Sequence, residues 1–283
     1  MKIPRRLQPL VDDGLIDAVL GQLMSGKEAQ IYVVRRGEEH CCAKVFKEAR
    51  QRSFKQAVQY QEGRRGRNSR RERAMAKKTR YGQREQEQAW LNAEVEALQR
   101  LAAAGVRVPA PLGFVDGVLL MEMITDADGL AAPRLDDVTL GAEQAVAHHH
   151  AVIREVVRML CAGLVHGDLS EFNVLLDAEG PVIIDLPQAV DAAGNNSAAM
   201  LLRRDVDNMR AHFGRFAPAL HDTDYGREIW ALYEAGELHP DSALTGRFVG
   251  DTTTVDVDEL VTLIEDVREQ EAWRLAREAQ DEE

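Results

Sequence analysis

The stretch Leu164-Val-His166-Gly-Asp168-Leu-Ser-Glu-Phe-Asn173-Val-Leu-Leu176 carries an aspartate and, five residues on, an asparagine, while Asp185 ends a later apolar run, Ile183-Ile184-Asp185. Phosphoryl transfer needs a carboxylate near the attacking hydroxyl and oxygen ligands that hold Mg²⁺ against nucleotide phosphates. Asp168, Asn173 and Asp185 supply that set, and the spacing of the first two fits a catalytic loop in which Asp168 is the base and Asn173 a metal ligand. Asp185 is expected to be the second oxygen ligand. Lys44 lies in the strand-like Ala43-Lys44-Val45-Phe46, placed to touch phosphates, and Glu94 falls four residues after Trp90 on a helical pattern, able to pair with Lys44. Alone, each has an ordinary reading: a turn Asp, a solvated Lys, a surface Glu. In the order Lys, Glu, Asp, Asn, Asp they describe a nucleotide-dependent phosphotransferase.

These residues need elements to hold them. A short amphipathic lead, Leu7 to Leu23, is expected to be helical and is followed by Ser25-Gly26-Lys27-Glu28-Ala29. Gln30 to Val34 and Cys41 to Phe46 read as strands around a charged turn, Arg35 to Glu39. Trp90, Val95, Leu98 and Leu101 recur at helical spacing within Glu85 to Ala104 and stop at Gly105. Leu112 to Val115 and Val118 to Met123 form a strand pair around Asp116-Gly117. After a linker, Thr125 to Thr139, the run Gly141 to Cys161 predicts a central helix, and Val174 to Leu176 with Val182 to Ile184 a hairpin. Helices are expected over Ala198 to Phe213, about Tyr225 to Gly236, and Val257 to Gln280. Met159, Met200 and Met209 read as core, and Cys161 as a small buried hydrophobe. His148, His149 and His150 point in different directions on a helix and are not expected to share a metal.

The 283 residues include only Cys41, Cys42 and Cys161, with no CxxC spacing, so neither a disulfide framework nor a zinc finger is suggested. No apolar run reaches the roughly 18 to 20 residues of a bilayer span, and Met1 to Gly14 has no signal-peptide core. A cytoplasmic protein with no membrane partner is expected. The net charge of -12 argues against wholesale nucleic-acid binding but hides a segregation. Lys44 to Arg84 holds 15 Lys and Arg against 3 Asp and Glu. Within it, residues 49–83 read as an exposed insertion that either is a solvated loop or binds an acidic partner: RNA, a ribosomal particle or an acidic protein.

With these pieces in place, the chain resembles the RIO family of atypical serine/threonine protein kinases, its type-1 subgroup most closely. The resemblance rests on Ser25-Gly-Lys-Glu-Ala-Gln-Ile-Tyr32, the Lys44 strand, Trp90 to Leu101, Met121-Glu122, His166 to Asn173, Asp185 and Leu201 to Asp205, and covers roughly residues 15 to 215. It implies an α+β, two-lobed protein-kinase-like fold, with a β-rich N-lobe carrying one long helix and a mainly helical C-lobe. It further implies that Ser25, Gly26 and Lys27 form the phosphate loop and that Met121 and Glu122 are the lobe hinge. ATP with Mg²⁺, or Mn²⁺ in its place, is the implied cofactor. Two departures stand out: Asp185-Leu-Pro-Gln188 where the family usually has an Asp-Val-Ser-Gln type sequence, and His166-Gly-Asp168 for the commoner His-Ala-Asp. A bacterial-type member is expected, lacking the type-2 winged helix, since about 20 residues precede the lobe, and lacking the basic tail of many type-1 relatives.

The resulting division is a helical lead over 1–24, an N-lobe over 25–124 and a C-lobe over 125–283. Protein phosphorylation is the leading expectation, with autophosphorylation or slow ATP hydrolysis alongside and the protein substrate unidentified. Asp185 and Asp205 lie close in sequence and no Ala-Pro-Glu follows, which leaves no space for an activation segment. One alternative is a small-molecule phosphotransferase of the aminoglycoside-kinase kind, disfavoured by Ser170-Glu171-Phe172. The other is a nucleotide-gated scaffold on ribosomal RNA.

Overall fold

Residues 39–46 alternate so that Cys41, Ala43 and Val45 face one way and Cys42, Lys44 and Phe46 the other, and both faces are covered. In the computed structural model, which describes residues 3–26, 29–47 and 80–248 (80–90 by backbone alone), this run is the middle of a five-stranded antiparallel sheet. Its strands are β1 (Ala18–Ser25), β2 (Ala29–Arg36), β3 (Glu39–Phe46), β4 (Pro111–Val115) and β5 (Val118–Glu122), in the order β1-β2-β3-β5-β4. Asp116 (φ 50°) and Gly117 (φ 75°) both adopt left-handed backbone between β4 and β5, the conformation that an Asp-Gly hairpin turn requires.

One face of the sheet packs Tyr32, Val34, Cys41, Ala43, Val45, Val118 and Leu120 against Leu7, Leu10 and Ile16 of the lead. On the other, Phe46 and Leu119 join Leu91, Val95, Leu98 and Leu101 of the long helix α2 (Arg80–Ala103). The lead itself differs from the expectation. Its helix, α1, covers only Gln8–Asp12, and Gly14 (φ 69°) turns the chain out of it. The rest of the expected helix is the edge strand β1, whose register slips between Val19 and Gly21 and again between Gln22 and Met24. Those slips break the strand's alternation, so its leucines fall at helix-like intervals.

The helical lobe is built on α3 (Ala142–Cys161), α4 (Ala198–Gly214) and α5 (Tyr225–Glu234). Val152, Ile153, Val156, Val157 and Leu160 of α3 are buried with Leu201, Leu202, Val206, Met209 and Phe213 of α4 and Ile229 of α5. Two small antiparallel pairs sit against these helices: β6 (Leu164–Val165) with β9 (Val190–Asp191), and β7 (Val174–Asp177) with β8 (Gly180–Ile183). Met159 and Met209 are buried and Met200 packs partly against the same core. Cys161, expected inside, is exposed: as the last residue of α3 it lies beyond the packed stripe that ends at Leu160.

Arg107, just beyond α2, fastens that helix's rear to the helical lobe. Its backbone N–H donates to Glu155 Oε2 at 2.9 Å, its guanidinium to Asp177 Oδ2 at 2.6 Å, and its carbonyl accepts from the Ile183 N–H at 2.8 Å. The compact unit described is residues 1–246; a second unit, 247–283, lies almost wholly outside the described residues, and with it the helix expected over Val257 to Gln280. Among the described residues no helix is long and apolar enough to cross a membrane.

Candidate active site

Because Lys44 shares its face of β3 with Phe46, its side chain is directed at α2, where Glu94 lies on the helix's buried stripe. The ammonium donates to Glu94 Oε1 at 2.5 Å and to Asp185 Oδ1 at 2.7 Å. The Lys44 side chain is only 10% exposed, so these bonds join three charged groups in a partly dry setting. Burial alone would lower the Lys44 pKa, but Asp185 and Glu94 outweigh it and hold it above the ordinary lysine value. For Asp185 burial pushes up, and Lys44, His166 and Arg134 more than offset it, holding the carboxyl below the usual aspartate range.

Asp185 follows β8 and takes a left-handed backbone, φ 66°. Such a conformation costs an L-residue roughly 1 to 2 kcal/mol, though aspartate tolerates it better than most. The strand register is pinned just before it, where the Ile184 N–H donates to the Asn173 carbonyl at 3.0 Å. His166 ties the same strand to the loop: its Nε2 lies 3.1 Å from the Ile184 carbonyl, and its Nδ1 accepts from the Asp168 N–H at 3.3 Å. This pairing assigns the ring proton to Nε2. Burial keeps the His166 pKa below the usual histidine value, consistent with a neutral ring.

The loop is clamped from behind by α4. Asp205 accepts from the Gly167 N–H at 2.7 Å through Oδ2 and from the Leu169 N–H at 2.9 Å through Oδ1. Arg204 donates to the Gly167 carbonyl and Asn208 to the Leu169 carbonyl, the latter at 3.0 Å. Burial pushes Asp205 up to about 7, against the opposing pull of the two amides and Arg204. Across the loop, the Asn173 Nδ2 donates to the Asp168 carbonyl at 2.8 Å, which fixes the asparagine's Oδ1 as its remaining polar atom.

The structure therefore brings Lys44, Glu94 and Asp185 into direct contact and links Asp168 and Asn173 to them through Ile184 and His166. Ser25 and Gly26 close the β1–β2 hairpin, with the Gly26 N–H donating to the Ala29 carbonyl at 2.9 Å; Lys27 lies outside the described residues, as does most of 49–83. Met121 pairs with Cys42 across β5 and β3, and Glu122, at the strand's end, braces the chain before β4 by accepting from the Ala110 N–H at 3.0 Å. Sequence reasoning assigned no role to Asp205 or Arg134. The signal for Asp205 was a carboxylate within an apolar helical stripe, Leu201, Leu202, Val206 and Met209. Arg134 had none: it comes from the linker, reaches the Met24 sulfur at the end of β1, and is close enough to Asp185 to bias its ionisation.

An antiparallel sheet with one Glu-bearing helix, set on a helical lobe whose loop is clamped by a buried aspartate, defines a two-lobed protein-kinase-like fold. The solved Rio2 kinase from Chaetomium thermophilum, in its ADP/Mg²⁺-phosphoaspartate complex, superposes with a TM-score of 0.56 at 20% identity, covering 94% of this chain and 75% of that one. More narrowly, residues 30–225 match the RIO domain family. The chain is 36% identical over 207 residues to the RIO-type serine/threonine-protein kinase Rio1 of Haloferax volcanii, covering 73% of this chain and 67% of that relative. It is 31% identical to the serine/threonine-protein kinase rio1 of Schizosaccharomyces pombe, over 74% of this chain but 41% of the yeast protein. The chain belongs to the RIO family.

Proposed function

We propose that this protein is an ATP-dependent serine/threonine protein kinase of RIO type. The observation that carries the reading is the Lys44 ammonium held between Glu94 and Asp185, beside a loop that presents Asp168 and Asn173. In this reading Glu94 fixes the lysine, Lys44 meets nucleotide phosphates, and Asp168 orients the acceptor hydroxyl and takes its proton. Asn173 through Oδ1 and Asp185 through its carboxylate form an all-oxygen donor pair, which fits Mg²⁺ and also accepts Mn²⁺. When bound, the ion would neutralise charge on the phosphates. Ser25, Gly26 and Lys27 are assigned to the phosphate loop, and Met121 and Glu122 to the hinge, with the lobes dividing near residue 124. Arg134, near Asp185, adds positive charge at the cleft mouth.

The acceptor is a hydroxyl-bearing protein side chain, this chain's own included. Segment 49–83 is assigned to an acidic partner, RNA or acidic protein, on its charge alone. The cytoplasm is the compartment that ATP and the unpaired cysteines suit. The deciding experiment is mass spectrometry of the protein after incubation with Mg-ATP, with and without a generic acceptor protein. Hydroxylamine-stable phosphate on serine or threonine supports the kinase reading. Hydroxylamine-labile phosphate on an aspartate, with steady ADP release and no phosphorylated hydroxyl, would replace it with ATP hydrolysis. That second reading has one observation in its favour, the phosphoaspartate in the Chaetomium Rio2 complex.

A further inference from the structure

His212 lies on α4 and is 4% exposed, yet neither of its ring nitrogens has a hydrogen-bond partner. A buried imidazole left so costs free energy, and buried polar groups without partners are rare enough to call for a reason. Two carboxylates converge on the ring from different elements. Asp136 comes from the 3₁₀ turn Leu135–Asp137 in the linker, and Glu171 from the 3₁₀ turn Glu171–Asn173 in the catalytic loop. One oxygen of each and a ring nitrogen of His212 all lie within 4.8 Å of one another. The charges that face the ring are those of Glu171, Arg215 and Asp136.

We propose that Asp136, Glu171 and His212 bind a divalent transition-metal cation of the Zn²⁺ class. Zn²⁺ takes imidazole nitrogen and carboxylate oxygen at roughly 2.0 to 2.2 Å, so ligand atoms around one ion sit up to about 4 Å apart. A small side-chain rotation closes the observed spacing to that value. One nitrogen with two carboxylate oxygens suits Zn²⁺, Co²⁺ or Mn²⁺ better than Mg²⁺, which favours oxygen alone, or Cu(I), which favours sulfur. Two negative charges balance the ion, and solvent at exposed Asp136 completes its coordination. The site is chemically distinct from the Asn173 and Asp185 pair, and it does not depend on the kinase reading. Its effect is mechanical: the ion joins linker, catalytic loop and α4 at one point, with Glu171 lying between Asp168 and Asn173 in the chain.

The test is calorimetric titration of the full-length protein, stripped with a chelator, with ZnCl₂, together with visible absorption of its Co²⁺ form. Wild type and Asp185→Ala should each take up one Zn²⁺ with the same affinity. His212→Phe and Asp136→Asn should weaken that binding more than about tenfold and abolish the cobalt bands, as loss of a ligand exceeds even loss of a supporting group. Asp136 is exposed, so its variant keeps the test valid if His212→Phe fails to fold by circular dichroism. Wild-type affinity in Asp136→Asn, or no Zn²⁺ uptake by wild type at about 1 mM, would overturn the proposal.

Discussion

Glu94 and Asp185 share the Lys44 ammonium, so Lys44 is a structural tie as well as the group proposed to meet nucleotide phosphates. Removing it leaves two carboxylates near one another with reduced compensation. Lys44→Ala is therefore expected to weaken Mg-ATP binding and to lower stability. Combining it with Glu94→Gln should recover part of the loss, with a coupling of about 0.5 to 3 kcal/mol by urea unfolding. Additive effects would mean that the pair does not interact. Asp168 predicts the opposite pattern, because the proposed kinase reading places it at the acceptor hydroxyl and not at the nucleotide. Asp168→Asn should cut phosphoryl transfer by roughly 10² to 10⁴ while ATP affinity by calorimetry stays near wild type. A mutant that transfers phosphate at the wild-type rate sinks its assignment as base.

At the scale of elements, α3, α4 and α5 meet around His149, which is fully buried, with Phe213 and Tyr225 each 5.6 Å from its ring centroid. Burial, with help from His150 and Arg210, lowers its pKa from 6.5 to about 4. The folded state thus resists protonation that the unfolded chain accepts. The stability this group contributes is complete above pH 6.5 and is lost as pH falls toward 4, by on the order of 3 kcal/mol. His149→Phe should flatten that stretch of the stability profile, measured by urea midpoints between pH 4 and 7; an unchanged slope would place the titration elsewhere. Contiguous features were legible in the sequence. The Asp168 loop is one segment, Lys44 follows from strand alternation, and Glu94 follows from the helical stripe that Trp90 begins. Features made by long-range convergence were not: Arg134 beside Asp185, Asp205 behind Gly167, and the meeting of Asp136, Glu171 and His212. β1 was missed because an edge strand with two slips loses the period-two signal, and Cys161 because a helix end follows its neighbours' pattern without their packing.

On the scale of the whole molecule, charge is segregated along the sequence, with 15 basic against 3 acidic residues between Lys44 and Arg84 in a chain of net charge -12. If nucleic-acid phosphates are the target, affinity should fall by roughly 0.7 to 0.9 log units per log unit of salt for each phosphate contacted. Deleting residues 64–79 should remove that binding and keep ATP affinity, since Lys44, Glu94, Asp168, Asn173 and Asp185 all lie outside the cut. Filter binding of RNA across a salt series checks it, and an unchanged slope after deletion returns the segment to a solvated loop. The Arg107 anchor has a consequence at this same scale. The sheet and the helical lobe are joined covalently beyond Glu122, within the cleft by the Lys44–Asp185 bond, and at the rear by the three bonds around Arg107. Any motion that parts the lobes at this rear end, a propeller-like twist included, would first have to shear Arg107 from Glu155, Asp177 and Ile183.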